Sequence, residues 1–127
     1  MEQPRLPEKA LVIRGGLMSS REDMEEQAAD EFEMTGRYAL SVGADAEMDL
    51  RSLCMANRRP NRQIRKSTVG RLRAAGFEVT FPIGTKRHSD LILPIPTTDD
   101  DWEKLDEAFD LPEQNPYYYA KRGGDQQ

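Results

Sequence analysis

At 127 residues the chain has the size of one domain with a core of its own. Hydrophobic residues make up 37% of it and charged residues 32%, so a thin core and a heavily solvated surface are expected. No apolar run approaches the length of a membrane span, and Met1-Glu2-Gln3-Pro4-Arg5 lacks the basic start and apolar stretch of a signal peptide. The lone Cys54 rules out an intrachain disulfide and a cysteine-built zinc site, which suits a reduced, cytoplasmic setting.

Residues 1–9 are polar, hold two prolines and read as a flexible lead-in. Ala10 to Arg14 predicts a short buried strand stopped by Gly15-Gly16. Ser19-Ser20-Arg21-Glu22 has the Ser-x-x-Glu form of a helix start. Met24, Ala28 and Phe32 then follow at four-residue steps as its apolar stripe, and Gly36 ends it. Tyr38, Leu40 and Val42 alternate as a second strand. A helix is expected from Asp45 to Asn57, with Leu50, Leu53 and Cys54 inward and Pro60 beyond its end. Arg62 to Lys66 carries only Ile64 as an apolar residue, which leaves a charged edge strand or a loop open.

Ser67 or Thr68 caps a short helix through Ala75, with Val69 and Leu72 inward and Gly76 past its end. Phe77, Val79, Phe81 and Ile83 alternate with polar residues and predict a half-buried strand. Gly84 to Arg87 is the turn and Ser89 to Leu93 the return strand of a β-hairpin with a basic tip. Thr98 opens a last helix with acids in its first turn, where the helix dipole favours them, and Trp102, Leu105 and Phe109 as its stripe. The whole is a single α+β domain over residues 10–111. Its sheet is mixed or mainly antiparallel with helices on one face, and residues 112–127 form a tail.

Charge is distributed unevenly. From Asn57 to His88 nine Lys/Arg (Arg58, Arg59, Arg62, Arg65, Lys66, Arg71, Arg73, Lys86, Arg87) meet one acid, Glu78, giving +8 between flanks of −6 and −7. Such a block is where an anionic partner docks, with RNA favoured and an acidic protein such as an antitoxin as the other class. The only histidine, His88, follows Lys86 and Arg87. A neutral imidazole among phosphate-binding cations can act as general base on a ribose 2′-hydroxyl while arginines stabilise the phosphorane. That is the minimum equipment of a metal-independent ribonuclease. His88, Arg14 and Ser41 are its candidate catalytic residues. Arg58, Arg59, Arg62, Arg65, Lys66, Thr68, Arg71, Arg73, Lys86 and Arg87 are the candidate nucleic-acid contacts.

Two other readings compete. Thr68 to Gly76 followed by a hairpin is similar to the recognition helix and wing of a winged helix, a non-enzymatic DNA-binding module. The gap of about ten residues from the preceding helix is long for a helix-turn-helix. Arg14-Gly15-Gly16 after a strand, with Ser41 on a later one, resembles ADP-ribosyltransferase folds, although no late strand glutamate matches theirs. No nucleotide-binding glycine loop is present, Asp99-Asp100-Asp101 fits helix-start acids better than a calcium loop, and neither cofactor nor metal is expected.

Ile13-Arg14-Gly15-Gly16, Ala39-Leu40-Ser41-Val42, Thr68 to Phe77 and His88 with Leu91-Ile92-Leu93-Pro94 together resemble small actinobacterial proteins with no established activity. The resemblance spans about residues 10 to 116. Small intracellular proteins of that kind are often toxin–antitoxin components, so it implies a toxin-type role by association.

Overall fold

The computed structural model describes residues 5–46, 62–81 and 88–116. The elements run β1 (Leu11–Gly15), α1 (Arg21–Thr35), β2 (Ala39–Asp45), β3 (Gln63–Thr68), α2 (Val69–Ala74), β4 (Glu78–Val79), β5 (His88–Ile92), α3 (Asp99–Ala108) and β6 (Glu113–Gln114). The strands form one sheet in the order β4-β5-β2-β1-β3-β6. Every neighbouring pair is antiparallel. This is the α+β domain that the element pattern predicts.

Strand side chains alternate between the two faces, and residues in register share a face. Val12 pairs with Ala44 and Ser67, Leu40 with Leu91, and Val42 with Ser89. These positions face a core to which α1 adds Met24 and Ala28, α2 adds Val69 and Leu72, and α3 adds Trp102, Leu105 and Ala108. The three described helices therefore cover one face. The opposite face carries Ile13, Ser41, Gly43, Ile64, Lys66, His88 and Asp90.

Local chemistry sets the boundaries. The α1 N-cap is Ser20, one residue later than Ser19; its hydroxyl accepts from the Asp23 N–H. Gly36 closes α1 with φ of 81°, a left-handed geometry that favours glycine. The last turn of α1 overhangs the core, so Phe32 stays 47% exposed and the stripe ends at Ala28. Thr98 and Asp101 cap α3 reciprocally, and these hydrogen bonds hold the Asp101 carboxyl below its ordinary range.

Several expectations need correction. Asp45 does not open a helix; it ends β2, buried and paired with Leu11, because the Leu40-Val42-Ala44 alternation runs on to it. The rest of that expected helix, Cys54 included, lies outside the described residues, as do the hairpin tip and Tyr117 to Tyr119. Arg62 to Lys66 lies largely within β3, between β1 and β6 and not at the sheet edge. The described part of the lead-in, residues 5–9, is anchored: Leu6 is 2% exposed, and the Glu8 carbonyl accepts from the Gly70 N–H at 2.8 Å. A Cβ at Gly70 would meet Glu8 Cβ and carbonyl oxygen at 3.1 Å, so close backbone approach explains a glycine inside a helix. The tail begins as β6, where Gln114 pairs with Gln63 and buried Asn115 donates its N–H to the Arg62 carbonyl.

Among the described residues no helix is long and apolar enough to cross a membrane.

Candidate functional site

Among the described residues of the basic segment, Arg65, Lys66, Arg71 and Arg73 each pair with one of the chain's own acids. Arg65 faces the helix layer, 4% exposed, and all three of its guanidinium nitrogens donate to the end of α3. Nε donates to the Asp110 carbonyl at 2.8 Å, Nη1 to the Asp106 carboxylate at 2.6 Å, and Nη2 to the Asp106 and Phe109 carbonyls. A buried guanidinium held this way cannot reach a phosphate without opening the fold, so Arg65 leaves the list of phosphate contacts. Lys66 pairs with Glu113 at 3.2 Å, Arg71 with Asp110 at 2.7 Å and Arg73 with Glu78 at 2.9 Å. Three of these four acids, Asp106, Asp110 and Glu113, run from the last turn of α3 to β6.

Thr68 is the α2 N-cap, its hydroxyl accepting from the Arg71 N–H. The N-terminus of α2 meets the lead-in, with the Val69 and Gly70 N–H groups donating to the Ala10 and Glu8 carbonyls. That short helix, with paired arginines and an occupied N-terminus, does not have the free end that a recognition helix needs. Arg62 is exposed on the surface. Arg58, Arg59, Lys86 and Arg87 lie outside the described residues.

Glu78 also binds Arg5 at 3.0 Å. Partial burial pushes its carboxyl up, but hydrogen bonds from Arg73, the Val79 N–H and Arg5 outweigh that and hold it below its ordinary value. A depressed carboxyl stabilises the fold above its unfolded value, near 4.5, and loses that contribution as pH falls through the folded value. Glu78 is half exposed, so the gain is under about 1 kcal/mol. The Glu78→Gln variant is expected to match the parent at acid pH and to be slightly less stable at neutral pH, read by urea denaturation against pH.

The second group is a polar cluster on the face away from the helices. His88 opens β5, and alternation returns Asp90 to the same side. The His88 Nε2 lies 3.2 Å from Asp90 Oδ1, and Arg37 donates from Nη1 to Asp90 Oδ2 at 3.0 Å. Asp90 is 6% exposed at its side chain and His88 is 45% exposed, so a buried carboxylate holds an accessible imidazole. An aspartate paired with arginine is an acceptor, which in the neutral imidazole puts the proton on Nε2 and leaves the Nδ1 lone pair. Ser41 is exposed, directly across from Asp90, with Gly43 across from His88. In-register Cβ atoms are about 5 Å apart, and Ser41 is the diagonal neighbour of His88.

Arg14 is not part of this cluster. It faces the helix layer, where Nη1 donates to the Ser41 carbonyl at 2.7 Å and Nη2 to Gln27 Oε1 at 2.6 Å. The structure thus brings His88 and Ser41 to one face and puts Arg14 on the other. An Arg14–Ser41 pair sharing one ligand, as the transferase resemblance requires, does not form. Asp90 and Arg37 were not among the expected site residues. The His88-x-Asp90 spacing on a strand signals the former, and no local pattern signals Arg37.

Among the described residues, no group of three or more His, Cys, Asp or Glu is placed to hold a metal ion. In comparison with known proteins, the chain matches no protein family, no curated protein and no solved structure.

Proposed function

We propose that this is a small cytoplasmic RNA-interacting protein that cleaves RNA without a metal, in the manner of a toxin-type ribonuclease. The observation that carries the reading is the accessible His88 imidazole, next in sequence to Lys86 and Arg87 and held by the buried Asp90 carboxylate, which pairs with the exposed Arg37. His88 Nδ1 takes the proton of a ribose 2′-hydroxyl. The 2′-oxygen attacks the adjacent phosphorus, and the P–O5′ bond breaks with a proton from water delivered to the departing 5′-oxygen. The products are a 2′,3′-cyclic phosphate and a 5′-hydroxyl. Lys86, Arg87 and the Ser41 hydroxyl are the donors for the charged phosphoryl oxygens. Asp90 orients the ring, and Arg37 fixes Asp90.

The test is incubation of the full chain with total RNA in chelator, beside His88→Ala, with cleavage ends analysed for cyclic phosphate. A loss of about 10²–10⁴-fold in His88→Ala is expected for removal of a general base. An unchanged rate removes the mechanism. Salt-sensitive binding with no cleavage by the parent reduces the protein to a nucleic-acid-binding module.

A further inference from the structure

Arg14 and Arg65 lie opposite each other in the β1–β3 register, both facing the helix layer. Their surroundings differ. Arg65 has the Asp106 carboxylate at 2.6 Å. Among the described residues no acid pairs with Arg14; its partners are the Ser41 carbonyl and the Gln27 side-chain amide, both neutral. The Arg14 Nε is buried and has no hydrogen-bond partner among the described residues. Burial also holds the guanidinium below its ordinary pKa, as expected where an opposite charge does not offset desolvation.

The unmet donor has a specific place. Nε–H and one N–H of Nη2 point the same way along one edge of a guanidinium, the edge that receives two oxygens of a carboxylate or phosphate side by side. In this chain Nη2 donates to one oxygen, Gln27 Oε1 at 2.6 Å, and Nε donates to none among the described residues. An amide has only one oxygen to offer, so one of the two donors stays unmatched. Gln27 lies on the exposed side of α1, and its side chain can turn out to water. An anion that takes its place engages both donors and supplies the opposite charge.

We propose that Arg14 is the binding residue for a small oxyanion, a carboxylate or phosphate group, at the junction of β1 and α1, with Gln27 as the side chain it displaces. The site is on the opposite sheet face from His88 and does not rest on the RNA-cleavage reading.

Thermal unfolding of the full chain tests this, with inorganic phosphate or acetate added at fixed ionic strength against a chloride reference. The parent is expected to show a saturable rise in Tm of a few degrees. A rise with phosphate alone assigns a phosphate ligand, and a rise with acetate alone a carboxylate. Gln27→Glu places a carboxylate beside the same guanidinium, so it should unfold at a higher temperature without added anion and lose the anion response. Absence of any rise over chloride in the parent overturns the proposal. So does a rise that persists in Gln27→Glu or Arg14→Gln.

Discussion

Replacing Arg65 with alanine is expected to destabilise the protein by about 3–5 kcal/mol, lowering the Tm by roughly 10–15 °C. The side chain crosses from β3 to the end of α3, where carbonyls run out of helical partners. Three of its hydrogen bonds go to carbonyls there, those of Phe109 and Asp110 and that of Asp106, which also accepts from the Phe109 N–H. A fourth joins the Asp106 carboxylate, and the guanidinium lies 5.9 Å from the Phe109 ring centroid. Truncation leaves these acceptors facing a gap that alanine cannot fill, and each buried unpaired group costs about 1–3 kcal/mol. Arg65→Lys should recover little, because one ammonium cannot reproduce the planar fork. Arg71→Ala is the control: its pair with Asp110 is half exposed, and its loss should cost under about 1 kcal/mol. Equal losses in the two alanine variants, measured by urea denaturation, would show that Arg65 is not a structural tie.

The same residue explains why part of the chain was hard to read from sequence. Helices α1 and α3 declare themselves through caps and apolar stripes, β2 and β4 through alternation, and β5 as the return strand of the expected hairpin. In β3 the positions facing the core at Arg65 and Ser67 are polar, and they are buried because α3 carbonyls accept from both. A hydrophobicity pattern registers such a strand as a loop. Two-residue β6 is too short for any period. Charge counting found a real asymmetry but not its partner, since pairing depends on sequence separations of 39 to 41 residues between β3–α2 and the end of α3. Strand parity is the remaining signal in the chain. Together with the register, it separates Arg14 from His88 and joins His88 to Asp90.

That last pairing supports the most demanding functional prediction. Asp90→Asn is expected to lower RNA cleavage by about 10²–10⁴-fold while leaving the fold nearly intact. The substitution preserves shape, so the effect works through hydrogen-bond polarity. Arg37 is a donor only, and it holds Oδ2 at 3.0 Å. An asparagine there must turn its carbonyl oxygen towards Arg37, because its amino group would set donor against donor. The amino group then faces His88 Nε2, which must accept. The ring proton moves to Nδ1, the nitrogen whose lone pair was to take the 2′-hydroxyl proton, and the neutral imidazole no longer presents a base there. Arg37→Ala frees the amide to turn its oxygen towards His88. The double variant Arg37→Ala/Asp90→Asn should therefore cleave faster than Asp90→Asn alone. A ring nitrogen NMR spectrum distinguishes the two tautomers directly. If Asp90→Asn keeps both the parent tautomer and the parent rate, the carboxylate does not position His88.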